Sequence, residues 1–214
     1  EKSQAQLSKI IQNSIKLLQE KFSPDVIVVA SNTPSLMLDV RTKKILDVKP
    51  PLKDAKKQSK TKQIGILATK SAINSKGLTK HIKKNNFPKS FKIFKINASN
   101  LVEIVESGKF ISNKKYSQKI IKNTLDEILS QNNIDTITLS STHLLFLKPL
   151  LKKQYPKINF IDPANIVAEK VFLKIKNKQS EKNSLKIFVT GNTRTFQMKL
   201  NKIGIKNKVN LLSF

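Results

Sequence analysis

The stretches Asp25-Val26-Ile27-Val28-Val29-Ala30-Ser31-Asn32-Thr33 and Ile134-Asp135-Thr136-Ile137-Thr138-Leu139-Ser140-Ser141-Thr142-His143 decide how this chain is read. Each sets an acidic residue beside a run of β-branched apolar residues and ends abruptly in small hydroxyl and amide side chains. A helical pattern follows both. A strand covered on both faces in a parallel sheet has this continuous apolar run, and open α/β sheets take their ligands beyond the carboxyl ends of such strands. The expected architecture is α/β, with two units facing each other across a small-molecule site.

Outward from these stretches, helix and strand alternate. Leu7, Ile10, Ile11, Ile15 and Leu18 form one helical stripe over 3–20, which Ser23-Pro24 ends. Strand 25–30 follows, and Pro34 suits the first turn of a short helix. Residues 45–48 read as a strand, and the lysine-rich run Lys53, Lys56, Lys57, Lys60, Lys62 as an exposed connector. Next come strand 64–69, a helix to Lys84, strand 91–96 and a helix over 101–106 that Gly108 can cap. A long helix over 114–130 turns Ile120, Ile121, Leu125, Ile128 and Leu129 inward. Strand 134–140, a helix to Gln154, strand 158–161 and a helix from Pro163 to Lys176 complete the second focal region. A polar loop then leads to strand 185–189, a helix and a closing strand at 209–212. Alternation of this kind predicts parallel sheets with right-handed crossovers.

The formal charge of +27 raises nucleic acid as a partner, yet only two of 41 basic residues are arginine. Base and phosphate recognition draws on the bidentate arginine fork, and the lysines here are spread over every predicted face. Solvated lysine surfaces are the better reading, and nucleic-acid binding the weaker one. Cysteine is absent and histidine is limited to His81 and His143, which argues against a disulfide framework and a structural metal site. No apolar run reaches the length of a membrane span. These bounds lead to the expectation of a cytoplasmic protein.

Just past the strands lie Ser31, Asn32, Thr33, Thr69, Ser71, Ser141, Thr142, His143, Thr190 and Asn192. Backbone N–H groups at helix starts, joined by hydroxyl and amide donors, suit a small carboxylate. Taken singly, each is a helix cap. Two matched clusters with a histidine argue for a site.

Ala30-Ser31-Asn32-Thr33-Pro34-Ser35 resembles the A-C-N-T-A-S segment of the aspartate/glutamate racemases, and Leu139-Ser140-Ser141-Thr142-His143 resembles their L-G-C-T-H segment. Leu147-Lys148-Pro149-Leu150, the strand 64–69, Leu101-Val102-Glu103-Ile104-Val105-Glu106-Ser107-Gly108, Ile161-Asp162-Pro163-Ala164 and Val189-Thr190-Gly191-Asn192 continue the match in order. The resemblance is nearest to the glutamate-specific members. It implies two pseudo-symmetric α/β domains with the site at their interface: 1–62 plus 163–178 as the first, 63–162 plus 184–214 as the second. It implies cofactor-independent racemisation, with no metal, of a small dicarboxylic amino acid such as glutamate or aspartate, in amino-acid metabolism serving cell-wall biogenesis. By motif Ser31 and Ser141 stand at the two proton-transferring positions, with His143 assisting position 141. Asn32, Thr33, Thr69, Ser71, Thr142 and Asn192 would bind substrate. A homodimer is common among such proteins.

The departures set a second expectation. Both base positions carry serine where the family has cysteine, and an alcohol is far less acidic than a thiol. The pocket should persist while turnover falls, leaving as an alternative a divergent member that binds a small acid. The double serine reads equally as natural divergence or deliberate replacement. Ala72 stands where a substrate-contacting threonine is usual. The family's opening D-S-G-x-G-G segment and P-Y-G loop have no counterpart, so one or two βα units are expected ahead of Glu1.

Overall fold

The computed structural model describes residues 4–37, 42, 44–178 and 180–213. Helix α1 (Gln4–Phe22) carries the predicted stripe and stops at Ser23, whose φ of +43° turns the chain ahead of Pro24. Strand β1 (Ile27–Val29) runs into α2 (Asn32–Met37), with Pro34 tolerated in the first turn. β2 (Ile45–Asp47) pairs with β1 in parallel. Buried Ser35 ties their ends together, its hydroxyl donating to Val29 O (3.0 Å) and accepting from Val48 N (2.9 Å).

The lysine-rich run does not form the expected exposed connector. It is largely a helix, α3 (Leu52–Gln58), and the reason is the pair Leu52 and Ala55 three residues apart, both fully buried. One apolar stripe is enough to seat a short helix while lysine stems point to water. Its exit is clamped by Asp135, whose carboxylate accepts from Ser59 Oγ (2.6 Å), Lys60 N (2.6 Å) and Thr61 N (2.9 Å).

β3 (Gln63–Ala68) is the inner strand of a four-stranded parallel sheet and is buried from Ile64 onward. The helix expected to run to Lys84 is two: α4 (Lys70–Ile73) and α5 (Lys76–Lys84), split where Ser75 Oγ accepts from Leu78 N (3.0 Å) and starts a new turn. After β4 (Lys92–Asn97) come α6 (Ser99–Glu106), closed by Gly108 at φ +75°, then α7 (Lys109–Ser112) and α8 (Lys114–Gln131). β5 (Thr136–Leu139), wholly buried, passes into a 3₁₀ turn (Thr142–Leu147) and α9 (Lys148–Gln154). β6 (Asn159–Ile161) leads to α10 (Ala164–Ile175), whose start is held by Asp162, bonded to Ala164 N (3.0 Å) and to Lys148.

The sheet order is β4-β3-β5-β6, all parallel. Alternate residues of β3 serve opposite faces: Leu67 joins the core under α6, α8 and α9, while Ile66 and Ala68 pack with Leu36, Leu52, Ala72 and Leu78. α10 packs against β2, and Asp25 ahead of β1 pairs with Lys178. β7 (Ile187–Val189), α11 (Thr193–Lys202) and β8 (Val209–Leu211) follow, β7 and β8 forming a separate parallel ribbon. Phe188 of β7 meets Phe22 of α1 at 5.1 Å between ring centres.

Gly77 sits where α5 crosses α2. A Cβ there would lie 2.1 Å from the Leu36 carbonyl oxygen, an obstacle that no side-chain rotation relieves. Gly77→Ala is therefore expected to cost about 1–3 kcal/mol, as overpacking typically does, read as a lowered urea midpoint. Asp135 gives a pH-dependent test. Burial pushes its carboxyl up, but the bonds from Ser59, Thr61 and Lys60 outweigh this and hold it below its ordinary 3.8. A depressed carboxyl contributes stability that is complete above that ordinary value and is lost as pH falls through the folded one. Asp135→Asn is expected to show a stability deficit in urea at pH 7 and pH 5 that closes as the pH drops below about 4.

Candidate functional site

The two focal stretches end at one cavity. Ser31, Asn32 and Thr33 reach it from the end of β1, Thr69 from the end of β3, and Ser140, Ser141, Thr142 and His143 from the end of β5; Val102 of α6 closes the side. The space measures about 100 Å³. Local folding explains each approach. The Ser140 N–H continues the β3–β5 ladder by donating to Leu67 O (2.8 Å), so the chain stays extended until Ser141. The Ser140 hydroxyl is spent on Thr138 Oγ1 (2.9 Å), which leaves Ser141 as the outward hydroxyl of the pair. Ser141 precedes the 3₁₀ turn without capping it through its side chain.

Asn32 is the most informative residue. It is only 4% exposed, and among the described residues neither its Nδ2 nor its Oδ1 has a hydrogen-bond partner. An amide buried without partners costs roughly 1–3 kcal/mol, so an orphan lining a cavity points to a ligand that supplies both an acceptor and a donor.

His143 stands between two groups. Its Nδ1 lies 3.4 Å from Ser141 Oγ and its Nε2 3.1 Å from Glu106 Oε1. A carboxylate only accepts, so in the neutral ring Nε2 carries the proton and Nδ1 presents its lone pair to the Ser141 hydroxyl. Among the described residues no titratable side chain is hydrogen-bonded to Ser31, so the two serines have unequal surroundings. Apart from His143, none of the described residues that line the cavity is ionisable. Among the described residues no three His, Asp or Glu side chains converge as metal ligands, and no helix is long and apolar enough to cross a membrane.

Of the residues singled out from sequence, Ser31, Asn32, Thr33, Thr69, Ser141, Thr142 and His143 meet here. Ser71 and Asn192 do not line the cavity. Ser71 faces solvent on α4, and Asn192 caps α11 by accepting from Thr195 N (2.8 Å). Thr69 does both jobs, lining the cavity and accepting from Ala72 N (3.3 Å) as the cap of α4. His81 is a structural histidine: its Nε2 donates to Pro50 O (2.9 Å), and burial, reinforced by Lys49 and Lys84, lowers its pKa. Glu106 is the residue that sequence reasoning misses. Its signal lies in helical spacing, since Glu106 follows Val102 by four residues and so shares its cavity-facing side of α6.

No family profile matches the chain. The glutamate racemase of Persephonella marina is 30% identical over 89% of this chain and 73% of its own length. The chain belongs to the aspartate/glutamate racemase family. The glutamate racemase of Glaesserella parasuis serovar 5 is 28% identical over the whole of this chain and 83% of the relative. Among solved structures, the Escherichia coli glutamate racemase in complex with L-glutamate and the activator UDP-MurNAc-ala aligns at a TM-score of 0.79 with 20% identity, over 100% of this chain and 83% of that one. The Francisella tularensis glutamate racemase in complex with D-glutamate aligns at 0.73 with 20% identity, over 99% and 82%. The mixed α/β fold with mainly parallel sheets is thus the racemase fold.

The orphan amide yields a two-sided test. Asn32→Leu removes an unsatisfied buried group, so the ligand-free urea midpoint is expected to hold or rise, while any thermal shift that saturating small amino acids give the parent chain is expected to disappear. Loss of stability with the ligand shift retained would show that Asn32 serves packing instead.

Proposed function

We propose that this chain interconverts the enantiomers of glutamate without a cofactor, slowly, by moving the α-proton between two opposed side chains at Ser31 and Ser141. The observation that carries this reading is the shared cavity: two serines from the ends of strands in different sheets, with an unpartnered amide between their neighbours. The sequence relatives named as glutamate racemases favour glutamate as the substrate. In this reading Asn32, Thr33, Thr69 and Thr142 hold the carboxylate and amino groups, while Ser71 and Asn192, off the cavity wall, reach the ligand only if the halves close further. The halves are 1–62 with 163–178 and 63–162 with 184–214. Support comes from α10 packing on β2 and from α11 lining a second cavity with α6, α7 and the 3₁₀ turn. The protein works in the cytoplasm, and a homodimer is its expected assembly.

Racemisation requires a base on one face of the α-carbon and an acid on the other, with the roles reversed for the opposite enantiomer. A serine hydroxyl is a weak base unless a general base takes its proton. His143 can do so for Ser141, whereas Ser31 lacks such a neighbour among the described residues. The expected consequence is slow, lopsided exchange. In D₂O one enantiomer of glutamate gains deuterium at the α-carbon measurably faster than the other, followed by NMR. The pair Ser31→Cys with Ser141→Cys should raise exchange by about 100-fold or more, the scale of a competent general base. Binding by calorimetry with no exchange in either protein would leave a small-acid binding protein as the reading.

A further inference from the structure

The cavity that holds Ser141 shares His143 as a wall with a larger one of about 440 Å³. That neighbour is predominantly apolar, with Phe110, Phe146 and Phe196 around it, and both His143 and Glu106 on its wall. Phe110 and Phe146 pack against each other with ring centres 5.4 Å apart. A small polar chamber and a larger aromatic one therefore meet at an imidazole. Proton transfer on a small dicarboxylic acid has no use for the aromatic chamber.

The polar groups at the junction form a relay. Glu106 accepts from His143 Nε2–H, and His143 Nδ1 accepts from the Ser141 hydroxyl. A hydroxyl facing an imidazole that is itself oriented by a carboxylate is the arrangement that activates serine toward carbonyl carbon. The 3.4 Å reach from Ser141 to His143 suits a substrate-free site, where such bonds are longer than in the complex. Ser141 is 8% exposed, shielded from bulk water but open to the chamber. Asn32 supplies what the relay lacks: a buried Nδ2 with no partner among the described residues, lining the same cavity from the β1 side and able to donate to an oxyanion.

We propose that this chain is also an esterase for short-chain carboxylic esters of apolar or aromatic alcohols, with Ser141 as nucleophile. The acyl group occupies the small chamber and the alcohol the aromatic one. The Ser141 Oγ–carbon bond forms as its proton passes to His143 Nδ1, and Asn32 Nδ2 donates to the resulting oxyanion. The ester C–O bond then breaks and the alcohol leaves with the proton from His143. Water next attacks the acyl-serine, gives its proton to His143, and the carboxylic acid departs as the proton returns to Ser141. Ser141 and His143 are catalytic residues, and Glu106 is a positioning residue acting through the ring.

The activity is independent of the amino-acid reading, since its readout is acyl chemistry and not exchange at an α-carbon. The test uses the whole chain with p-nitrophenyl butyrate, and a small alkyl fluorophosphonate whose attachment point is mapped by peptide mass spectrometry. Hydrolysis is expected to exceed that of Ser141→Ala by about 100-fold, with the label on Ser141 and none in His143→Ala. Glu106→Ala is expected to lower kcat with little change in KM, while Glu106→Asp restores part of the loss. Equal rates for the parent and Ser141→Ala, or labelling confined to lysines, would overturn the proposal. The label mapped on the unmutated chain tests the nucleophile without relying on the folding of any variant.

Discussion

The site depends on how closely two backbones approach. Gly77 lets α5 come within van der Waals range of the Leu36 carbonyl, where any Cβ would stand 2.1 Å from its oxygen. α2 is the element that carries Asn32 and follows directly on Ser31, while the α4–α5 layer belongs to the four-stranded sheet whose β5 ends at Ser141. Leu36 enters the same apolar cluster as Ile66, Ala68, Ala72 and Leu78. The glycine thus allows one half of the molecule to be seated on the other at the distance that makes Ser31 and Ser141 walls of one cavity. Interiors are packed densely enough that a displacement of one helix there would pass directly to the site.

Polar groups divide into two kinds by the same logic. Asp135, Asp162 and Ser35 are buried or half-buried and engaged: they clamp a helix exit, a helix start and two strand ends. Asn32 is buried too, yet both polar atoms of its amide engage nothing. Gln63, Thr136 and Gln154 each leave one buried oxygen unpartnered, but Asn32 leaves both atoms of its amide open and does so on the cavity wall, beside two hydroxyls and a histidine, which marks where chemistry enters from outside. The His143–Glu106 contact adds direction by choosing which ring nitrogen faces Ser141. A racemase scaffold with a hydroxyl, an oriented imidazole and an orphan amide holds the parts for more than one reaction.

Charge has less bearing on function than its size suggests. The lysines lie on helix faces, on loops and, at Lys92 and Lys95, on the edge strand β4, and among the described residues none stands on the wall of the cavity between the strand ends. Their clearest structural effect is on sequence reading: in the run from Lys53 to Lys62 they hide a helix whose apolar face consists of Leu52 and Ala55 alone. A two-residue stripe in seven is too weak a period to read against such a background, and only the sheet beneath supplies the burial that decides it.

Much was determined by the sequence itself. Apolar β-branched runs such as Val26–Val29 and Ile134–Leu139 can be satisfied only as covered parallel strands, helices of the right period lie between them, and the hydroxyl clusters must fall at strand ends. Those are local consequences of side-chain shape and spacing, and so Ser31, Asn32, Ser141 and His143 could be singled out in advance. Tertiary structure alone decided which strand ends converge. It separated Thr69, which shares the cavity, from Asn192, which caps α11, although both sit in the same local pattern. It brought Glu106 to His143 across 37 positions of sequence, and it left the Asn32 amide without a partner. Capping is set within one turn of helix, whereas a shared cavity is set by how whole elements pack, and no spacing along a single chain encodes that distance.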